Sequence, residues 1–153
     1  MTLTETIETT DYRELFSDTA AFIKRFVDCD GNIVNTCVPF VAHTYLTSEC
    51  NYCPRLYITS ATKQCGKSVL IKVLRDIVHK GEYCIDPSPA VLYTLIELEH
   101  PTLLIDELDR LYERKDTSAI TAILNSGFER GAKVPRVGFG PPPEKWSDLN
   151  YVF

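Results

Sequence analysis

Hydrophobic residues in the first third of the chain recur every three to four positions, which is the spacing of one face of a helix. The run 19–27 has this pattern, and Ser17-Asp18 precedes it as a pair able to cap the amino terminus of the helix. A second apolar run, 35–46, can form a helix if Pro39 lies in its first turn, because a proline ring clashes with the preceding turn deeper inside a helix. The pattern therefore predicts a helical segment over residues 18–53.

From residue 54 onward, short apolar runs alternate with amphipathic ones. Runs rich in β-branched or aromatic residues predict strands, at 55–60, 82–86 and 101–107. Longer runs with helical periodicity or capping residues predict helices, at 66–80, 87–100 and 117–131, with Gly81 as the stop of the first. Strands that alternate with helices are typical of an α/β domain whose parallel sheet is covered on both faces. Beyond them, Gly140 and the prolines that follow predict the turn of a β-hairpin.

The overall charge limits what can be expected of partners. The 153 residues carry a formal net charge of −5. This charge disfavours a chain that grips nucleic acid by bulk electrostatics, because phosphate neutralisation needs clustered lysines and arginines. A local basic stripe remains compatible with it, and Arg130, Lys133 and Arg136 form one that could meet a DNA backbone. The alternative interpretation, a solvated loop, is the favoured one.

The sequence predicts neither a membrane span nor secretion. The longest apolar runs are far below the ~18 residues that a span requires, and the lead-in over 1–17, expected to be flexible, is acidic and threonine-rich. A cytoplasmic location is therefore expected, and the six cysteines are interpreted as reduced thiols. Cys50 and Cys53 form a C-x-x-C pair, but a tetrahedral zinc needs four ligands and no second close pair is evident. A metal or redox role for this pair remains the alternative.

A phosphate-binding loop has the form G-x-x-x-x-G-K-[ST] and lies between a strand and a helix. Residues 61–68, ATKQCGKS, match every position but the first, where Ala61 replaces glycine and is tolerable if its φ stays negative. Gly66 would let the backbone approach phosphate oxygens, Lys67 would bridge the β- and γ-phosphates, and Ser68 would offer its hydroxyl to Mg²⁺. The residues predicted to bind the nucleotide are Ala61, Thr62, Lys63, Gln64, Cys65, Gly66, Lys67, Ser68 and Val69.

Two carboxylates end the apolar run 101–107. In an open α/β sheet the carboxyl end of a strand lies at the edge where a phosphate loop also lies. Asp106 is predicted to hold Mg²⁺ through a water molecule, and Glu107 to orient and polarise the attacking water. The alternative is that both acids simply begin a helix, whose dipole favours negative charge. The phosphate loop upstream makes that alternative the less favoured one, and Glu107 and Lys67 are the predicted catalytic residues.

With these motifs, the chain resembles a P-loop ATPase domain of phage and plasmid replication proteins, in which the domain accompanies primase or helicase modules. The resemblance runs from about Asp18 to Arg136 and is carried by PRLYITSATKQCGKSVLIKVL, PSPAVLYTLIELEHPTLLIDELD and ILNSGFERG. It implies a three-layer P-loop NTPase of the RecA/AAA+ type, with a parallel central sheet over 54–153 preceded by amino-terminal helices. It also implies ATP and Mg²⁺ as cofactors, and ATP hydrolysis coupled to DNA replication or helicase work.

Other residues carry over from the resemblance less firmly. Asn125 and Arg130 lie in a segment that recurs in the family, where one of them could contact the γ-phosphate or a neighbouring subunit. The default interpretation of both is that they are surface helix residues. His43-Thr44 also matches, although a histidine beside an apolar helical stripe is more often a core residue. The partners expected are ATP and, through the family, DNA, primase or helicase modules or a second copy of the chain.

The resemblance also implies a strand that the chain does not clearly supply. In the family it lies between the strand of the phosphate loop and the strand of the acidic pair, and this sequence stops at 149–153, LNYVF, where that strand would begin. Three alternatives stay open: LNYVF fills the position, the chain is a fragment, or a partner completes the sheet. The functional alternatives are a truncated nucleotide-binding or protein-interaction module without hydrolysis, and a P-loop phosphotransferase, which the Asp106-Glu107 pair disfavours.

Overall fold

The computed structural model describes residues 11–60, 65–108, 110 and 117–132. The elements in these residues follow one another in the order α1 Tyr12–Phe26, α2 Gly31–Tyr45, a short 3₁₀ helix Thr47–Glu49, α3 Lys67–Arg75, β1 Gly81–Ile85, α4 Pro89–Glu99, β2 Thr102–Asp106 and α5 Thr117–Ser126. The helices and strands mix as expected for an α/β domain. The predicted hairpin beyond Gly131 lies outside the described residues.

β1 and β2 form a parallel sheet connected by α4. Gly81 pairs with Thr102 at one end of the register, and Ile85 pairs with Asp106 at the other. The Ser88 hydroxyl accepts a hydrogen bond from the backbone of the first turn of α4 and caps the helix. The prediction of an α/β fold with a parallel sheet is confirmed at this level.

The predicted strand 55–60 is not a strand of this sheet. In the described part of the chain, the sheet has only β1 and β2, and 55–60 has no regular secondary structure. A strand is defined by hydrogen bonds to a neighbouring strand, and no described segment makes them to 55–60. The strand composition of this run is therefore not sufficient to produce a strand, and the described residues contain no three-layer arrangement.

Two helix starts differ from prediction because of capping. α1 begins at Tyr12, inside the predicted lead-in, since the Asp11 carboxylate accepts a hydrogen bond from the Arg13 amide at 2.9 Å. α2 begins at Gly31 in the same way, after Asp30. Pro39 consequently lies inside α2 rather than in its first turn. Proline has no amide hydrogen, so the Asn35 carbonyl lacks its helical partner, and both residues are exposed to solvent.

Two helix ends also differ. α3 ends at Arg75, before the predicted Lys80, and the chain turns back over 76–80, so Gly81 begins β1 instead of stopping the helix. α5 ends at Ser126, before Gly131. Element boundaries depend on where the chain must turn to pack, which local periodicity does not encode.

The main core lies where α3 packs between α1 and the sheet. Its buried side chains include Ile23, Val34, Cys37, Val41, Leu74 and Leu104. A separate buried group joins α4 and α5, namely Leu92, Ala119, Ile120 and Ile123. Because α3 is held from two sides, its first residues have a fixed position relative to the end of β2. None of the helices in the described residues has the length and apolar character needed to cross a membrane.

Replacing Gly81 with alanine is expected to destabilise the fold. A Cβ at this position would overlap the Arg75 carbonyl oxygen and lie 2.8 Å from a Val78 methyl group, so the turn after α3 would have to move. Overpacking of this kind costs roughly 1–3 kcal/mol of unfolding free energy, measurable by urea denaturation. The control is Gly31→Ala, because a Cβ there meets nothing within 4 Å. An equal effect of the two substitutions would contradict this account of the turn.

Candidate nucleotide site

The described part of the predicted phosphate loop ends in a left-handed glycine. Gly66 has φ +86° and directly precedes α3, and its carbonyl accepts the first hydrogen bond of the helix, from the Leu70 amide at 2.9 Å. L side chains rarely adopt this φ, so the need for glycine here is conformational. Lys67 and Ser68 follow as the first residues of α3, where unpaired backbone amides favour an anion. The predicted residues Ala61, Thr62, Lys63 and Gln64 lie outside the described residues.

The structure brings the predicted lysine, serine and acidic pair to one cavity. This cavity, which we call the acidic cavity, has a volume of about 510 Å³ and is lined by Lys67, Ser68, Asp106 and Glu107. The first two residues come from the amino end of α3 and the last two from the carboxyl end of β2. A volume of this size is typical of a small-molecule site.

The Asp106 carboxylate accepts several hydrogen bonds in the acidic cavity. Its Oδ2 accepts a hydrogen bond from the Tyr83 hydroxyl at 2.9 Å, and its Oδ1 accepts one from the Glu107 amide at 2.9 Å. Burial acts to raise the pKa of Asp106, but the hydrogen bonds from Ser68, Tyr83 and the Glu107 amide, together with the Lys67 ammonium, lower it below its ordinary value. The carboxylate is therefore held ionised beside the serine hydroxyl.

Sequence reasoning missed Tyr83. Desolvation and its hydrogen bond to Asp106 raise the pKa of the Tyr83 hydroxyl, so it stays a donor, and the Lys72 ammonium lies 5.8 Å from its ring centroid. In the register of the sheet, Tyr83 pairs with Leu104, which lies two residues before Asp106 on β2. Side chains two residues apart in a strand point to the same face, so those of Tyr83 and Asp106 share a face of the sheet. The sequence would have indicated Tyr83 only if the predicted strands 82–86 and 101–107 had been aligned in this register.

Glu107 differs from Asp106 in its backbone conformation and in the partner of its carboxylate. Its φ is +58°, a conformation that costs a non-glycine residue free energy and that concentrates at functional sites. Its carboxylate also makes an ion pair with Arg110, at 2.8 Å. Glu107 thus lines the acidic cavity while its side chain is engaged by a neighbouring cation.

A second cavity, of about 540 Å³, adjoins the first across Leu56–Ser60, which line both. Cys65 and Gly66 line it together with residues of the turn between α1 and α2. Cys65 is exposed. A hydrogen bond with Ser60 lowers the pKa of its thiol, and the amide and ammonium groups of Lys67 lower it further, which outweighs a smaller desolvation effect that raises it. The loop cysteine is therefore an accessible thiol biased toward its reactive thiolate form.

Several predicted residues do not line either cavity. Val69 and Asn125 are exposed. Arg130 lies against the loop after α2, where its amide donates to the Asn51 carbonyl at 2.9 Å and its guanidinium donates to the Ser48 carbonyl. The structure thus gives Arg130 a local structural role. The other residues of the basic stripe, Lys133 and Arg136, lie outside the described residues.

The histidine and threonine that match the family lie in the packing of α2. The Thr44 hydroxyl is buried, donates to the Val41 carbonyl at 2.6 Å and accepts from the His79 amide at 3.0 Å. His43 Nε2 lies 3.2 Å from the Tyr52 carbonyl oxygen. Both residues therefore tie the end of α2 to neighbouring loops, although His43 Nδ1 is buried and has no hydrogen-bond partner in the described part of the chain.

Ser68 and Asp106 supply oxygen ligands of the kind that a magnesium ion takes. Within the described ranges, no three His, Cys, Asp or Glu side chains are grouped to hold a metal, and Cys50 and Cys53 are free thiols. Ser68 and Asp106 are within hydrogen-bonding reach of each other, so they offer a hydroxyl and a carboxylate oxygen at one place. Mg²⁺ uses such oxygen ligands and takes the remainder from water and phosphate.

Comparison of the chain with protein-family models, with curated proteins and with solved structures found no match.

Tyr83→Phe is expected to raise the pKa of Asp106, because the carboxylate loses one of its donors. A lowered folded-state pKa means that Asp106 stabilises the fold at neutral pH and that this contribution is lost as the pH falls through that pKa. The variant should lose it at a higher pH than wild type. The carboxyl-carbon NMR titration of Asp106 measures the pKa directly. Tyr45→Phe, which removes a hydroxyl bonded to the Ile77 carbonyl, is the control and should leave Asp106 unchanged; an unchanged Asp106 in Tyr83→Phe would contradict the network.

Cys65 is expected to react with iodoacetamide faster than Cys53 at pH 7. Both thiols are exposed, but the pKa of Cys65 is lowered whereas burial raises that of Cys53. The thiolate is the nucleophile, so the lower pKa gives the larger reactive fraction. Peptide mapping by mass spectrometry reports the rate at each site. Equal rates, or a faster Cys53, would show that the surroundings of the loop do not activate its cysteine.

Proposed function

We propose that this chain is an ATP-binding P-loop domain that hydrolyses ATP with Mg²⁺ and couples hydrolysis to DNA replication or helicase work in the cytoplasm. The observation that carries the proposal is the convergence of Lys67 and Ser68 with Asp106 and Glu107 on the acidic cavity. A lysine at a helix start, a serine bonded to an aspartate at the end of a strand and an adjacent glutamate are the parts that phosphoryl transfer to water requires. The coupling to DNA and to primase or helicase modules comes from the family resemblance.

Each residue has a separate role in this proposal. The Lys67 ammonium and the free amides at the start of α3 bind the phosphates. The Ser68 hydroxyl and the Asp106 carboxylate would hold Mg²⁺, which when bound neutralises charge on the phosphate oxygens. Glu107 accepts a proton from the attacking water, for which its carboxylate must leave the Arg110 guanidinium.

A second candidate is a nucleotide-binding module without hydrolysis. The Glu107–Arg110 ion pair favours it, since a carboxylate engaged by a guanidinium is not placed to accept a proton from water. The two candidates share the binding step and differ only in turnover. Binding and turnover must therefore be measured separately.

Binding is expected to appear as protection of Cys65 from alkylation by ATP with Mg²⁺. Lys67→Ala should raise the ATP concentration needed for half-maximal protection roughly 10- to 100-fold, because it removes a charged partner of the phosphates. Glu107→Gln should keep the protection and lower ATP turnover by about 10²-fold or more. Turnover is measured as released phosphate, with and without single-stranded DNA. Lys24→Ala, which removes an exposed lysine of α1 that lines neither cavity, is the control.

The outcomes separate the candidates. Protection of Cys65 without turnover in the wild-type chain supports the non-hydrolysing module. Full turnover in Glu107→Gln removes the assigned role of that residue. ATP that fails to protect Cys65 at millimolar concentration contradicts both candidates.

A further inference from the structure

The second cavity borders the residue proposed to bind the phosphates. Lys67 lines both cavities, whereas Ser68, Asp106 and Glu107 line the acidic cavity and not the second one. A nucleotide whose terminal phosphate lies beside those three residues carries its nucleoside at the opposite end of the triphosphate. The second cavity, of about 540 Å³, adjoins Lys67 and has a volume typical of a small-molecule site.

Apolar side chains form much of the wall of the second cavity. Val27, Cys37 and Leu70 line it and are buried. Ile33 and Tyr57 also line it, yet they remain 43% and 74% exposed although both are large and apolar. Covering such exposed groups with a flat ring removes apolar surface from water, and a tyrosine ring stacks readily on a base. This wall is suited to a heterocyclic base.

The turn between α1 and α2 adds polar side chains to the same cavity. Asp28 and Asn32 line it, and both residues are exposed. The Asn32 backbone is held by Asp30 and Thr36, which fixes the residue at the start of α2. In the described part of the chain, the Asp28 carboxylate and the Asn32 side-chain amide have no hydrogen-bond or ion-pair partner. Free hydrogen-bonding groups therefore lie beside an apolar wall.

We propose that the second cavity binds the adenine nucleoside of ATP, and that Asp28 and Asn32 recognise the edge of the base. This inference rests on the proposed function, since it assigns the nucleoside of the nucleotide whose phosphates Lys67 binds. A carboxylate only accepts hydrogen bonds, so Asp28 accepts one from the exocyclic amino group of adenine, and the Asn32 amide donates to a neighbouring ring nitrogen. Guanine has a carbonyl oxygen in place of that amino group, and this acceptor would face the Asp28 carboxylate. The cavity is therefore expected to select ATP over GTP.

The location of the nucleoside is tested by methyl NMR on the full chain labelled at isoleucine. Ile33 lines the second cavity and not the acidic one, and Ile71 lines the acidic cavity and not the second. Millimolar adenosine, and ATP with Mg²⁺, should each shift the Ile33 methyl signal. Tripolyphosphate with Mg²⁺ should leave the Ile33 signal in place, because it has no base. Titration of the shifted signal gives the dissociation constant.

The selectivity is tested by comparing ATP with GTP in the same titration. Wild type should bind ATP about tenfold or more tightly than GTP, since one hydrogen bond to a charged group distinguishes them. Asp28→Asn should bring the two affinities to within about threefold, because an asparagine amide can donate to the guanine carbonyl oxygen. Asn32→Ala should weaken ATP binding about three- to tenfold. Asp18→Asn and Asn35→Ala are the matched controls, since these residues are exposed on α1 and α2 and line neither cavity.

Three results would overturn the nucleoside site and leave the proposed function standing. The first is that ATP protects Cys65 while the Ile33 signal does not move. The second is that adenosine shifts Ile71 and not Ile33, and the third is that wild type binds ATP and GTP equally. Conversely, the nucleoside site stands and the phosphate site fails if adenosine binds as tightly as ATP and Lys67→Ala leaves the ATP affinity unchanged. If ATP neither shifts Ile33 nor protects Cys65, and adenosine leaves Ile33 in place, both proposals fail.

Discussion

The packing of α3 between α1 and the sheet is the constraint on which the candidate site depends. Leu70, Ile71, Val73 and Leu74 are all buried, which requires apolar partners on more than one side of a short helix. A helix held in this way cannot rotate or slide without exposing part of that surface, at about 25 cal/mol per Å². Its amino end is thereby fixed near the carboxyl end of β2, and the hydrogen bond from Ser68 to Asp106 follows from that position.

The charges that line the acidic cavity favour a cation beside a bound phosphate. Among the described residues that line the cavity, Glu107 is paired with Arg110, and the ionised Asp106 carboxylate lies in the same cavity as the Lys67 ammonium. A polyphosphate bound there would repel the Asp106 carboxylate unless a cation lay between them. The donors that lower the pKa of Asp106 keep it available to such a cation at neutral pH.

The sequence by itself determined the local features of this protein. Capping and periodicity predicted α4 with Ser88 and the strand of Asp106, because each depends on neighbours in the chain. The packing of α3 against the sheet brings Lys67 and Ser68 to the cavity of the acidic pair. Tertiary structure alone decided that Tyr83 reaches Asp106, that Glu107 meets Arg110 with a positive φ, and that 55–60 has no strand partner among the described residues. These features depend on register and on which segments lie side by side. Hydrogen bonds between distant segments carry that information, and the order of residues along the chain does not.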